Sequence, residues 1–228
     1  MNKINAVKAI MFDLDDTLLD REKAADVMFS VIAEKFYKNT GMTESQYDDM
    51  FCEFKEYDNR GCERKVVMIN DLFNKFPPSF IISDSEFIDF WNSNFPKCFS
   101  RDTERINTVI KLQEHVKTAI ITNGSVQVQR AKITETKLNE LFKVIIISDE
   151  VGIQKPDPKI FELALNKIDV LPENALFVGD NLKKDIGGCQ SAGIRGIWFN
   201  PNNFKNDTDI KPFAEIHRFM EILDYINY

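Results

Sequence analysis

The sequence predicts an α/β protein: a doubly wound, Rossmann-like parallel sheet core with an inserted all-helical domain. Three observations predict it. Short apolar runs alternate with helical patterns down most of the chain, as expected of a parallel sheet covered on both faces. The first run, residues 7–12, is cut off from the rest by residues 20–99, where apolar side chains recur at helical spacing instead. Several runs end in a small set of polar residues, and open parallel sheets bind ligands beyond the carboxyl ends of their strands.

Residues 7–12 read as a buried strand because the run is short and apolar apart from Lys8. Four helical faces follow: Val27, Val31, Ile32 and Phe36; Tyr47, Phe51 and Phe54; Val66, Ile69, Leu72, Phe73 and Phe76; and Phe87, Phe90, Trp91 and Phe95. Gly41, Gly61 and Pro77-Pro78 separate them, so the stretch reads as a bundle with its own core. Aromatic side chains at that spacing read first as core rather than as a surface for stacking a ligand. After Arg101 come a helix (103–114), a strand (118–122), a helix, the strand Val144–Ile147, a loop, a helix (158–167), a strand (175–178), a helix and a strand (196–199). Ala214–Ile216 reads as an edge strand and 219–226 as a last helix. The α/β domain therefore comprises residues 1–19 and 100–228, and the helical domain residues 20–99.

The 228 residues are 43% hydrophobic and 29% charged, enough for a self-sufficient core without disulfides or structural metal. A net charge of -7 repels polyanions, which argues against a nucleic acid polymer as partner. Cys52, Cys62, Cys98 and Cys189 form no C-x-x-C pair and read as free thiols of a cytoplasmic protein. No apolar run approaches the roughly 20 residues that span a bilayer, so no membrane association is expected. The oligomeric state is not legible.

The first strand is followed by Asp13, Asp15 and Asp16, the second ends in Thr122 before Asn123 and Gly124, and the loop after the third leads to Lys155-Pro156-Asp157-Pro158. The fourth is followed by Gly179, Asp180 and Asn181, with Asp185 slightly later. Asp13 and Asp15 are two apart, so extended backbone points them to one side. Two close carboxylates repel, and at least one pKa should rise. Asp180 would add a third negative group. A divalent cation resolves this, and all-oxygen ligands suit Mg²⁺. Taken singly, each feature has a plainer reading: an acidic loop or helix cap for the aspartates, a hairpin turn for Thr122-Asn123-Gly124, a solvated side chain for Lys155. Their convergence at one sheet edge favours a site. Asp157 and Pro158 read as the N-cap and first residue of a helix.

Asp13-Leu14-Asp15-Asp16-Thr17, Thr122, Lys155 and Gly179-Asp180-Asn181 with Asp185 resemble, in order, the four motifs of the haloacid dehalogenase superfamily, and the helical insertion resembles that superfamily's cap. The phrases Ile121-Thr122-Asn123-Gly124, residues 151–158 and residues 178–182 resemble more narrowly a branch of pyrimidine 5′-nucleotidases. The resemblance implies a Mg²⁺-dependent phosphomonoester hydrolase acting through an aspartyl-phosphate. Asp13 would be the nucleophile and Asp15 the general acid and base, with its pKa raised. The metal would be held by the Asp13 and Asp180 carboxylates and the Asp15 carbonyl, with Asp185 orienting a metal-bound water or Lys155. Thr122 and the amides of Asn123 and Gly124 would hold the phosphoryl oxygens, and Lys155 would neutralise charge in the transition state. The implied substrate is a small phosphorylated metabolite, a pyrimidine (deoxy)nucleoside monophosphate on the narrower match. Three other readings stay open: a phosphatase or phosphomutase on sugar phosphates or other small esters; a receiver-type signalling domain, against which the insertion counts; and a dehalogenase, which leaves Asp15 and Asp180 unexplained.

Overall fold

The computed structural model describes residues 7–61 and 64–226, and Cys62 lies outside them. The chain divides into two compact units, Met1–Asp20 with Arg101–Tyr228, and Arg21–Ser100.

The first unit is built on six strands: β1 (Ala9–Phe12), β2 (Lys117–Thr122), β3 (Val144–Ile147), β4 (Ala175–Gly179), β5 (Arg195–Phe199) and β6 (Ala214–Ile216). They pair in the order β3-β2-β1-β4-β5-β6, every pair parallel. The chain winds from β1 out through β2 to β3, then returns to β4 on the other side of β1. The reversal lies between β1 and β4, where such sheets bind their ligands. β1 is wholly buried, which explains its unbroken apolar character. Ala9 and Met11 face one side, in a core with Ile121, Phe161 and Phe177. Phe12 packs its ring against Phe142 and Phe219.

Flanking helices run Thr103–Gln113, Val126–Glu135, Ser148–Val151, Pro158–Ile168 and Gly188–Ser191, numbered α5 to α9 after the four helices of the second unit. α8 begins as expected, with Asp157 accepting from the Lys159 amide and Pro158 at the first turn. Three segments differ from the sequence reading. Ser148–Val151 is a short helix where a loop was expected. The helix after β4 opens as a π-turn, Leu182–Gly187, before α9. Its cause is local: the Asn181 carbonyl accepts from the amides of both Asp185 and Ile186, and paired Gly187 and Gly188 favour regular helix poorly. The last helix, Phe219–Tyr225, is of 3₁₀ type.

The second unit holds α1 (Arg21–Phe36), α2 (Glu44–Asp58), α3 (Lys65–Lys75) and α4 (Asp84–Asn94), with 3₁₀ turns at Asn59–Gly61 and Phe95–Cys98. Capping boxes of Thr43 with Gln46 and Ser83 with Glu86 start α2 and α4. Phe36, Phe54, Ile69, Leu72, Phe87, Trp91 and Phe95 are core, as their spacing predicts. Val27 is a correction: it is 43% exposed, and Ala24, Met28 and Phe29 carry the buried face of α1 with Ile32 and Phe36. Tyr47, expected on the α2 face, is 37% exposed, though its ring meets Phe29 edge-on at 5.0 Å.

This unit buries an ion cluster. Arg21 donates to both oxygens of Asp58, at 2.7 and 2.9 Å, Lys65 donates at 2.6 Å, and the Gly61 amide at 3.1 Å. Gly61 has φ +83°, and a Cβ there would stand 2.6 Å from Arg21 Nε, so the turn requires glycine. Among the described residues no helix is long and apolar enough to cross a membrane.

Candidate active site

β1 ends at Phe12, and the Asp13 amide still donates to the Val178 carbonyl of β4, at 2.9 Å. The chain then turns: the Leu18 and Leu19 amides both return to the Leu14 carbonyl, and Asp16 takes φ +58°. This turn separates the two carboxyl groups that extended backbone would have set side by side. Asp13 is buried and ion-paired with Lys155. Asp15 turns to α6, where Lys132 Nζ lies 2.9 and 2.8 Å from its two oxygens and Gln129 Nε2 donates at 3.1 Å.

Lys155 is itself buried, its Nζ also 2.7 Å from Asp185 Oδ1, an ion pair outside hydrogen-bond alignment. Its backbone is clamped by Asn123: the Asn123 amide nitrogen donates to the Lys155 carbonyl and the Lys155 amide donates to Asn123 Oδ1, both at 2.9 Å. The Lys155-Pro156 peptide bond is cis. Asn123 therefore ties the ends of β2 and the third-motif loop together. Thr122 Oγ1 accepts from Gln129 at 2.6 Å, and the Gly124 amide donates to Ser148 Oγ at 3.0 Å.

At β4, Gly179 makes room for Asp185: a Cβ at that position would stand 2.5 Å from Asp185 Oδ2. The same oxygen accepts from the Asn181 amide at 3.0 Å. Trp198 Nε1 donates to the Asp180 carbonyl at 2.8 Å and fixes the loop. One carboxylate oxygen from each of Asp13, Asp180 and Asp185 lies within 4.8 Å of the others. Asp15 is not a member of this group. Burial drives the Asp13 carboxyl up to about 7; Lys155 opposes the rise, and Asp185 and Asp15 reinforce it. A carboxylate thus rises as expected, with burial rather than the Asp15 charge as the main cause. Burial would lower the Lys155 ammonium, but Asp13 and Asp185 outweigh it and hold it above its ordinary value.

Three carboxylate oxygens gathered within 4.8 Å of one another, more negative charge than Lys155 alone offsets, fit a hard divalent cation. Asp185, expected to act at one remove, contributes a carboxylate oxygen to the same cluster as Asp180.

Sequence reading missed Gln129 and Lys132. The signal was present: α6 buries Gln129, Lys132, Ile133 and, one position beyond its end, Thr136, a helical face where apolar residues are the norm. Polar residues on a buried face ask for partners, and theirs are Asp15 and Thr122.

A doubly wound sheet carrying an acidic cluster, a buried lysine and a hydroxyl at its carboxyl edge defines a hydrolase-type site for an anionic substrate. The chain belongs to the haloacid dehalogenase-like hydrolase family, whose model matches residues 10–199. It is 31% identical over 231 residues to a glyceraldehyde 3-phosphate phosphatase of Pyrococcus furiosus, covering 97% of this chain and 95% of that one. It is 28% identical to a pyrimidine 5′-nucleotidase of Streptococcus pneumoniae, covering 96% and 95%. In fold it matches the HAD-hydrolase YfnB of Bacillus subtilis, crystallised bound to magnesium, with TM-score 0.81 and 23% identity over 98% of this chain and 100% of that one.

Proposed function

We propose that this chain is a Mg²⁺-dependent phosphomonoester hydrolase that works through an aspartyl-phosphate on Asp13. The observation that carries the reading is the buried Asp13 carboxyl at the sheet's switch point, between Lys155 and the cluster of Asp180 and Asp185. Bound at those carboxylates, Mg²⁺ would neutralise the phosphoryl oxygens so that an anionic nucleophile can approach. Asp13 attacks phosphorus and splits one difficult displacement into two easier ones. Asp15 gives a proton to the departing ester oxygen and later takes one from water. Thr122 and the Asn123 amide hold the phosphoryl oxygens, the Gly124 amide being engaged by Ser148 instead, while Asn123 locks the Lys155 backbone and Lys155 balances charge in the transition state.

The substrate is a small phosphorylated metabolite. The phrases shared with pyrimidine 5′-nucleotidases, and a relative of that name at 28% identity, support a pyrimidine (deoxy)nucleoside monophosphate. The 31% identity to a glyceraldehyde 3-phosphate phosphatase favours a second reading, a sugar or triose phosphate. Phosphate release from UMP, dUMP, dTMP, AMP, GMP, sugar phosphates and triose phosphates, with Mg²⁺ and with chelator, separates them. Mg²⁺-dependent release confined to pyrimidine monophosphates supports the first. Release from the sugar or triose esters alone discards the nucleotidase and keeps the mechanism, and no release from any ester discards both.

A further inference from the structure

The site contains a contact that the proposed reaction does not itself demand. Lys132 is buried and touches both oxygens of Asp15, at 2.9 and 2.8 Å. One turn earlier on α6, buried Gln129 donates to Asp15 Oδ2 at 3.1 Å, to Thr122 Oγ1 at 2.6 Å and to the Asn123 carbonyl at 3.3 Å. Residues three apart share a helix face, so α6 presents both side chains to the same target. Burying a lysine and an amide is unfavourable unless each finds partners. Packing alone would be served by an apolar residue, as at adjacent Ile133.

We propose that Lys132 and Gln129 are positioning residues for the chemical step, holding the Asp15 carboxyl and the Thr122 hydroxyl in their working orientations. The proposal rests on the phosphatase reading. Lys132 fixes the plane of the Asp15 carboxyl by touching both oxygens. Gln129 ties that carboxyl to Thr122, and a hydroxyl that accepts from Gln129 keeps its own proton as a donor, here directed loosely at the Asn123 carbonyl at 3.5 Å. α6 is a firm mount: Ser125 caps its start, and Thr136 Oγ1 donates to the Lys132 carbonyl at 2.6 Å.

The test follows from the two half-reactions. In the first, an Asp13 oxygen bonds to phosphorus while the ester oxygen leaves with the bonding pair and takes the Asp15 proton. In the second, water bonds to phosphorus, its proton passes to Asp15, and the bond from Asp13 to phosphorus breaks to release inorganic phosphate. An alkoxide leaving group needs the first proton transfer. 4-Nitrophenolate is stable without it, so only the second half-reaction of that ester needs Asp15.

In Lys132→Met, kcat for an alkyl phosphate should fall about 100-fold with KM within about threefold of wild type. With 4-nitrophenyl phosphate and Mg²⁺, stopped flow should show a burst approaching one nitrophenolate per enzyme, then slow turnover. Lys132→Arg, whose fork can also span both oxygens, should recover about tenfold or more of the loss. Unchanged turnover in Lys132→Met overturns the proposal, and so does a parallel fall of burst and steady state, which would mark general damage. A wild-type protein that releases no phosphate from any ester removes the phosphatase reading and this inference together. An active wild type beside an unimpaired Lys132→Met removes the inference alone.

Discussion

In the helical unit one buried carboxylate, Asp58, meets two side-chain cations, Arg21 and Lys65, and a backbone amide. Around β1 the proportion is reversed: the carboxylates of Asp13, Asp180 and Asp185 gather within 4.8 Å of one another, and Lys155 touches two of them. Acid strength follows the difference. Burial pushes the Asp58 carboxyl up, but Arg21 and Lys65 more than offset it and hold it below the ordinary carboxylate range. Burial pushes Asp13 up as well, and there the neighbouring carboxylates add to the rise. The first cluster is complete as structure. The second gathers three carboxylates, the kind of group that would receive a cation beside a reacting group.

The largest expected effect breaks the over-acidic cluster. Asp13→Asn should lower turnover by about 10⁴-fold or more, the scale on which nucleophiles are lost. It removes one of several crowded acids and leaves Lys155 paired with Asp185, so the melting temperature should stay within a few degrees of wild type. Turnover close to wild type would remove Asp13 as nucleophile. A large fall in melting temperature would show that both clusters are structural in the same sense and would dissolve the contrast.

The matching substitution in the helical unit should do the opposite. Asp58→Asn strips the charge that Arg21 and Lys65 share, and removing one partner of a buried ion pair costs about 3–5 kcal/mol. The two cations also lie over Phe95 and Trp91, so the packing of α4 and the turn after it depends on them. Urea unfolding should show the loss in the midpoint. A loss below about 1 kcal/mol, the range of exposed pairs, would mean the cluster is not holding the unit.

The legibility of the two clusters differs for the same physical reason. The strand-end site uses short polar groups placed at or directly after the ends of apolar runs, so Asp13, Thr122 and Asp180 stand out along the chain, and Lys155 stands out by its Lys-Pro-Asp-Pro setting. The doubly wound sheet was legible too, because buried parallel strands leave unbroken apolar runs. The Asp58 cluster joins residues 37 apart through a turn and has no local pattern to announce it. Gln129 and Lys132 were overlooked because a polar side chain on a helix reads as solvated until its face is known to be buried. Val27 failed by the same token: α1 buries small Ala24 and Ala25, and periodicity counted only the larger side chains. The π-turn after β4 depends on one carbonyl serving two amides, which residue types alone do not specify.

The smallest effect sharpens the contrast through pH. A carboxyl held below its unfolded value binds fewer protons folded than unfolded near pH 4, so stability there rises with pH. The contribution of Asp58 is fully present above its unfolded pKa, about 3.9. It is lost as pH falls from there through the folded value, which lies lower. Protonation neutralises the acid but leaves oxygens that accept from Arg21 and Gly61, so the loss should be smaller than that of the substitution. Trp91 reports it, because the Lys65 ammonium stands 5.0 Å from its ring centre. In a Trp198→Phe background, Trp91 fluorescence should show urea midpoints level from neutral pH to about pH 4 and falling below it. Adding Asp58→Asn should remove the part of that fall that Asp58 causes. An identical acid fall in both proteins would place the titrating group elsewhere and leave the Asp58 cluster without its electrostatic role.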